Sequence, residues 1–264
     1  MKPASYEREL KAAREAALAA GAIIAGYAAG PRESWDKAED SPVTHADLEA
    51  NEAIASCLAA AFPEDWILSE ETADSPERAE RERVWIIDPL DGTKEFIQGI
   101  PEYAVSIALV VAGTPVVGVV YQPPTGECFA GASGLGAWLG EQRLHVSQAT
   151  DLSHSVMLSS RTEMGRGQVD RFRDWFAEIR PVGSVALKLA LTAAARGDVW
   201  ISMAPKSEWD VCAGHLLVRE AGGVFLTLKE GERRYNQADV LLQPVMAAGP
   251  AQLVHQIAQR NEQG

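Results

Sequence analysis

Apolar and polar positions repeat in two different rhythms along this 264-residue chain, and the change of rhythm divides it. The opening stretch is polar and then alanine-rich, carrying Glu7, Glu9, Lys11, Arg14 and Glu15, and predicts a helix over Ser5–Ala28. A second helical pattern covers His45–Phe62. Short apolar runs follow at Trp66–Leu68, Val84–Ile87, Ala104–Val111, Val116–Tyr121, Glu127–Ala130 and Ala137–Leu139, each of strand length. The links Ala112-Gly113-Thr114 and Gln122–Gly126 are tight enough to join antiparallel neighbours. Beyond Arg143–Asp151 the pattern alternates: strand Val156–Ser159, helices Gln168–Ile179 and Val185–Ala195, strand Val199–Met203, helix Asp210–Ala221, strands Val224–Leu226 and Val245–Ala248, helix Ala251–Arg260. Such alternation favours an α/β layout. Two intimately packed halves, 1–145 and 146–264, are therefore expected within one compact unit.

Chemistry concentrates at one strand end. The run Val84–Ile87 reads as a buried strand stopping at Asp88-Pro89, and Asp91 and Gly92-Thr93 follow at once. Two carboxylates three residues apart, beside backbone N–H groups and a hydroxyl, suit a hard cation and an anion held together. A lone Asp-x-x-Asp is ordinarily a solvated turn. Three other acidic elements change that balance: Ser69-Glu70-Glu71 after a short apolar segment, Ser207-Glu208-Trp209-Asp210, and Thr44-His45-Ala46-Asp47. Taken singly, the last two are helix-capping patterns, a serine or threonine with an aspartate three residues on, and the glutamates are an exposed pair. A capping role and a catalytic role are compatible, since both use the first helical turn.

Together these elements resemble the inositol monophosphatase superfamily of magnesium-dependent, lithium-sensitive phosphatases. The resemblance covers nearly the whole chain: Asp88-Pro-Leu-Asp-Gly-Thr93, Glu70-Glu71, Gly183-Ser184 before a helix, Trp209-Asp210 with Ala213-Gly214, and Glu220-Ala221-Gly222-Gly223. Within the superfamily, Lys94-Glu95-Phe96-Ile97 and Ser41-Pro42-Val43-Thr44 look most like the 3′(2′),5′-bisphosphate nucleotidases of sulfur assimilation. The resemblance implies a layered αβαβα sandwich, with a mostly antiparallel N-terminal sheet and the active site where the halves meet. It implies two or three Mg²⁺ ions, one held by Glu70, Asp88 and the Leu90 carbonyl and one by Asp88, Asp91 and Asp210. Thr93 and Asp47 would take the proton of the attacking water, with Glu70 beside them, and Gly92-Thr93 N–H groups would bind phosphate oxygens. Lys94, Ser184 and Glu208 are the expected substrate contacts. Ser184 also suits a cap, Glu208 a first-turn carboxylate facing the helix dipole, and Lys37 is an alternative lysine near the site.

Composition narrows the partners. Net charge is −13, and residues 31–80 hold 14 acidic and 3 basic side chains, which argues against duplex nucleic acid or an anionic membrane surface. No apolar run approaches the ~20 residues needed to cross a bilayer. Three cysteines without metal spacing or an even framework fit a reducing, cytoplasmic setting. The expected partner is a small phosphate ester, with a homodimer left open. Three readings stand: hydrolysis of adenosine 3′,5′-bisphosphate to AMP, an inositol or other sugar monophosphatase, and a catalytically inert metal- or phosphate-binding protein. Intact Thr93 and Asp47 speak against the last, which would not need them.

Overall fold

A computed structural model describes residues 5–38, 41–228 and 233–263. The chain begins with α1 (Glu7–Ala28), the hairpin β1 (Ser34–Ala38) and β2 (Ser41–Thr44), and α2 (His45–Ala61). There follow β3 (Trp66–Ser69), β4 (Arg83–Asp91), the short α3 (Thr93–Gln98), β5 (Ala104–Val111), β6 (Thr114–Gln122), β7 (Glu127–Ala132), β8 (Gly136–Leu139) and β9 (Gln142–Arg143). Strands β3 to β9 form a seven-stranded sheet in chain order. Only its β3–β4 pair is parallel.

The remainder comprises β10 (Val156–Ser159), α4 (Arg161–Gly165), β11 (Glu178–Pro181), α5 (Val185–Ala193), β12 (Val199–Ser202), β13 (Lys206–Ser207) and α6 (Glu208–Glu220). It closes with β14 (Val224–Thr227), β15 (Leu241–Leu242), β16 (Met246–Gly249) and α7 (Ala251–Gln263). Here a five-stranded sheet runs β11-β10-β12-β16-β14, parallel among the first three and antiparallel where β16 joins.

Strand alternation explains the layering. On β4, Trp85 and Ile87 pack under α1 and α2, while Val84 and Ile86 enter a second core shared with α5 and α6. Strand β5 divides likewise, Val105, Ile107 and Leu109 to one side and Ala104, Ala108 and Val110 to the other. Both faces of the first sheet are therefore buried, which is why its strands read as unbroken apolar runs. Alanines at 13, 16, 17 and 20 line the buried side of α1 and let it lie close on the sheet. The second core continues through α5 and α6 to Trp200, Phe225 and Ala248 of the second sheet, and α7 closes a third core over the far face. The order is α, β, α, β, α, as the resemblance implies. No described helix is long and apolar enough to cross a membrane.

One predicted helix is absent. Over Gln168–Ile179 the structure has a single 3₁₀ turn, Asp170–Phe172, and then β11 beside β10. Phe172, Trp175 and Phe176 have helical spacing, but Phe172 and Phe176 fill the third core from irregular backbone. Pairing with β10 takes Ile179 into a strand instead, a tertiary contact outweighing local pattern. The β1–β2 hairpin was also not foreseen.

Candidate active site

Strand β4 does not end where its apolar run ends. It continues through Pro89 and Leu90 to Asp91, and its pairing with β5 slips between Asp88↔Ser106 and Asp91↔Ala104. Residues three apart in a regular strand face opposite sides. The extra residue of this bulge turns Asp88 and Asp91 to the same side, and Pro89 needs no ladder partner for an N–H it lacks. Gly92 then adopts φ 99°, and a Cβ there would sit 3.0 Å from the Glu102 carbonyl oxygen, so both conformation and space demand glycine. Helix α3 starts at Thr93.

The other carboxylates arrive from three further elements. Strand β3 lies parallel to β4 with Ser69 opposite Ile87, which sets Glu70 beside Asp88 at the same sheet edge. Asp210 is the third residue of α6, and its Oδ2 accepts the Ser207 N–H at 2.8 Å. Asp47 holds the equivalent place in α2, its Oδ2 accepting the Thr44 N–H at 2.8 Å and hydroxyl at 2.6 Å. Its other oxygen, Oδ1, accepts the Thr93 hydroxyl at 3.0 Å, a hydroxyl equally 3.0 Å from the Leu90 carbonyl. Both capping boxes exist, and both deliver an aspartate to the site.

Carboxylate oxygens of Asp88, Asp91 and Asp210 lie within 4.8 Å of one another. They open, with Glu70, Leu90, Gly92, Thr93 and Lys94, onto a cavity of ≈230 Å³. Burial, then the charges of Glu70, Asp91 and Asp210, push the Asp88 carboxyl well above the usual range. Burial and the nearby Asp91 raise Asp210 to about 7. Burial also raises Asp91 and Asp47, against the hydrogen bonds each receives. Carboxyl groups crowded this way resist ionising together, and a divalent cation relieves both the desolvation and the repulsion. A donor set of oxygens alone, without histidine or thiolate, fits Mg²⁺.

Ser184 and Lys188 complete the arrangement from α5. Ser184 sits at φ 53°, a strained conformation for a residue with a Cβ. From there its hydroxyl donates to Asp91 Oδ2 at 2.6 Å, and the Ala186 N–H meets the same oxygen at 2.6 Å. Ser184 is thus both the cap of α5, accepting the Leu187 N–H, and a clamp on Asp91. The buried Lys188 amine donates to the Val182 and Ser184 carbonyls at 3.0 and 2.6 Å, and burial lowers its pKa to about 8. Lys188 lines the cavity and was not anticipated; its place one turn after Ser184 on the helix was the available signal. Glu102 is engaged by Arg161 and by the Gly183 N–H, tying the segment before β5 to α4 and to the start of α5 at the rim.

Glu208 corrects an expectation. It is fully buried and absent from this cavity, its carboxylate receiving the N–H groups of Asn236 at 2.7 Å and Gln237 at 3.1 Å and the Arg233 guanidinium at 3.2 Å. It therefore anchors the 233–237 segment. The side chain of Lys37 lies outside the described residues.

Removing the Thr93 hydroxyl tests its position between Asp47 and the cavity. Thr93→Ala should lower kcat by ~10²–10⁴-fold, the usual loss for a positioned proton-transfer group. The Mg²⁺ concentration for half-maximal rate should move far less, and an unchanged kcat would dismiss the role.

The model of the inositol monophosphatase family matches residues 5–261. The Nus factor SuhB of Pasteurella multocida is 36% identical over 231 residues, 84% of this chain and 86% of its own. The inositol-1-monophosphatase of Mesorhizobium japonicum is 37% identical over 206 residues, 75% of this chain and 77% of its own. Among solved structures, CysQ from Bacteroides thetaiotaomicron, a bacterial member of the inositol monophosphatase family, superposes with a TM-score of 0.77 at 32% identity, covering 94% of this chain and 98% of that one.

Proposed function

Since the chain belongs to the inositol monophosphatase family, we propose that it hydrolyses the 3′-phosphate of adenosine 3′,5′-bisphosphate to give AMP and phosphate. The family is one of phosphatases, generally magnesium-dependent, and the acidic cluster supports Mg²⁺ here. Glu70, Asp88 and the Leu90 carbonyl would hold one ion, and Asp88, Asp91 and Asp210 a second. Ions so held supply Lewis acidity toward the phosphate and leaving oxygens.

The chain's own groups do the rest. Thr93 takes a proton from the attacking water as its hydroxyl proton passes to Asp47 Oδ1, 3.0 Å away. The two Thr44 bonds fix Asp47 for that task, and burial raises its pKa toward that of a working base. N–H groups of Gly92 and Thr93, at the start of α3, orient the phosphate oxygens. Ser184 and the Ala186 N–H hold Asp91 in one orientation throughout.

Lys94 carries the choice of substrate. It lines the cavity directly after the phosphate-binding turn, where a second phosphate on the substrate would find a cation. Adenosine 3′,5′-bisphosphate should accordingly show a higher kcat/KM than inositol 1-phosphate in saturating Mg²⁺. Lys94→Ala should narrow the gap by raising KM for the bisphosphate, up to about fivefold, the scale of one exposed charge. The second reading, an inositol-1-monophosphatase or related sugar phosphatase, is favoured by the Mesorhizobium relative's name. Equal or better turnover of inositol 1-phosphate would establish it.

A further inference from the structure

A second cavity, of ≈340 Å³, has the opposite electrostatic character. It lies beside the β5–β6 turn and is lined by residues 113–115, His215, Arg219, Arg233 and Arg234. It shares no lining residue with the carboxylate cavity. Arg219 follows Asp210 by nine positions on α6, roughly 13 Å along the helix axis. In a chain with 13 excess negative charges, none of the described residues lining this cavity is acidic.

The guanidinium groups are fixed rather than loose. Arg219 donates to the Pro115 carbonyl at 2.7 Å, Arg234 to the Ala112 carbonyl at 2.8 Å, and Arg233 to the Asp239 carbonyl at 3.2 Å. For Arg219 and Arg234 the anchor is a neutral backbone oxygen reached through Nη2, whereas Arg233 Nη2 also meets the buried Glu208 carboxylate at 3.2 Å. Two of the arginines face a carboxylate, Arg233 with Glu208 at 3.2 Å and Arg219 with Glu220 at 4.0 Å, so the cavity's uncompensated positive charge centres on Arg234. Among the described residues Arg234 forms no ion pair. Gly113 matters here, because a Cβ at that position would lie 3.0 Å from Arg234 Nε and push the guanidinium off the turn. His215, buried beneath, bonds through Nδ1 to the Tyr235 hydroxyl at 2.9 Å, and burial together with Arg219 keeps it neutral.

We propose that this cavity is a second anion site that takes a phosphate-bearing ligand. Three planar forks, one from α6 and two from the 233–234 segment, suit a tetrahedral anion, whose oxygens point in several directions, better than a single flat carboxylate. The held arginines also lose little rotamer freedom on binding.

Calorimetric titration of the full chain with inorganic phosphate tests this. With Mg²⁺ present, two binding events are expected. Chelation should abolish the catalytic one, since uncompensated carboxylates repel phosphate, and leave the other. Arg219→Gln/Arg234→Gln should weaken the remaining event at least tenfold while phosphomonoester hydrolysis stays within twofold. Arginine-directed labelling by phenylglyoxal needs no variant: phosphate should slow modification of Arg234, and sodium chloride of equal ionic strength should not. Equal affinity of the chelated intact and double-variant proteins, or Arg234 labelling indifferent to phosphate, overturns the proposal. So does tighter binding of citrate than of phosphate at matched charge.

Discussion

Asp88→Asn should abolish detectable turnover and leave the fold intact. Asp88 is 2% exposed, and its Oδ1 accepts the Leu90 N–H at 3.0 Å, a bond the asparagine oxygen can keep. What disappears is one negative charge from a group of four acidic residues. In the proposed arrangement Asp88 serves both ions, so the loss should exceed the 10–100-fold typical of even an outer partner of a metal site. Stability should move the other way. Because Glu70, Asp91 and Asp210 all repel the ionised Asp88, the variant should melt no lower than the intact protein in chelator at pH 8. Added Mg²⁺ should then raise its melting temperature less. Near-normal turnover would contradict the placement of Asp88. A fall in melting temperature without metal would make it a structural residue.

Chelated protein should become less stable as the pH rises from about 5 to 7.5, and Mg²⁺ should reverse that decline. Asp210 in the fold keeps its proton up to about pH 7, whereas an unfolded aspartate loses it near 3.9. Between those values the folded chain binds more protons than the unfolded one, so stability falls with rising pH. Asp88, Asp91 and Asp47, all raised by burial, act in the same direction. Below that window the arginine-paired Asp74 and the lowered Glu102 oppose the trend, since their contribution is lost on acidification. Above it Lys188, lowered to about 8, adds stability as unfolded lysine approaches its own pKa. Calorimetry at pH 5, 6, 7 and 7.5 with chelator and with excess Mg²⁺ reads the effect directly. The increment from Mg²⁺ should grow with pH; an increment independent of pH would mean that these carboxyls are not where the ion binds.

Much of this site is written in local pattern. The Asp88-x-x-Asp91-Gly-Thr93 run and the two capping boxes are short-range features, and each formed as its residues dictate. Fold class was legible for a similar reason: unbroken apolar runs of strand length and tight links leave few ways to pair β5, β6 and β7. What stayed hidden depends on distant contacts. Nothing in Pro89-Leu90 announces that β4 continues as a bulge, because the bulge exists only relative to β5. The stretch 168–179 has helical spacing and no local reason to refuse it; β10 supplies that reason. Glu208 was misplaced because its partners, Asn236 and Gln237, lie 28 and 29 residues away in sequence.

The middle helical layer also governs how this protein must be made. Ala104, Ala108, Val120 and Phe129 on the first sheet are covered by Leu189, Ala190, Ala213 and Leu217, from α5 and α6. A ribosome that has just completed β9 still has 77 residues to add, Leu144 to Glu220, before α6 exists. At ~5–20 residues per second that interval is roughly 4–15 s. Throughout it the nascent first sheet lacks the helices that cover one of its apolar faces, and whatever holds that face during translation determines how many chains reach the assembled site.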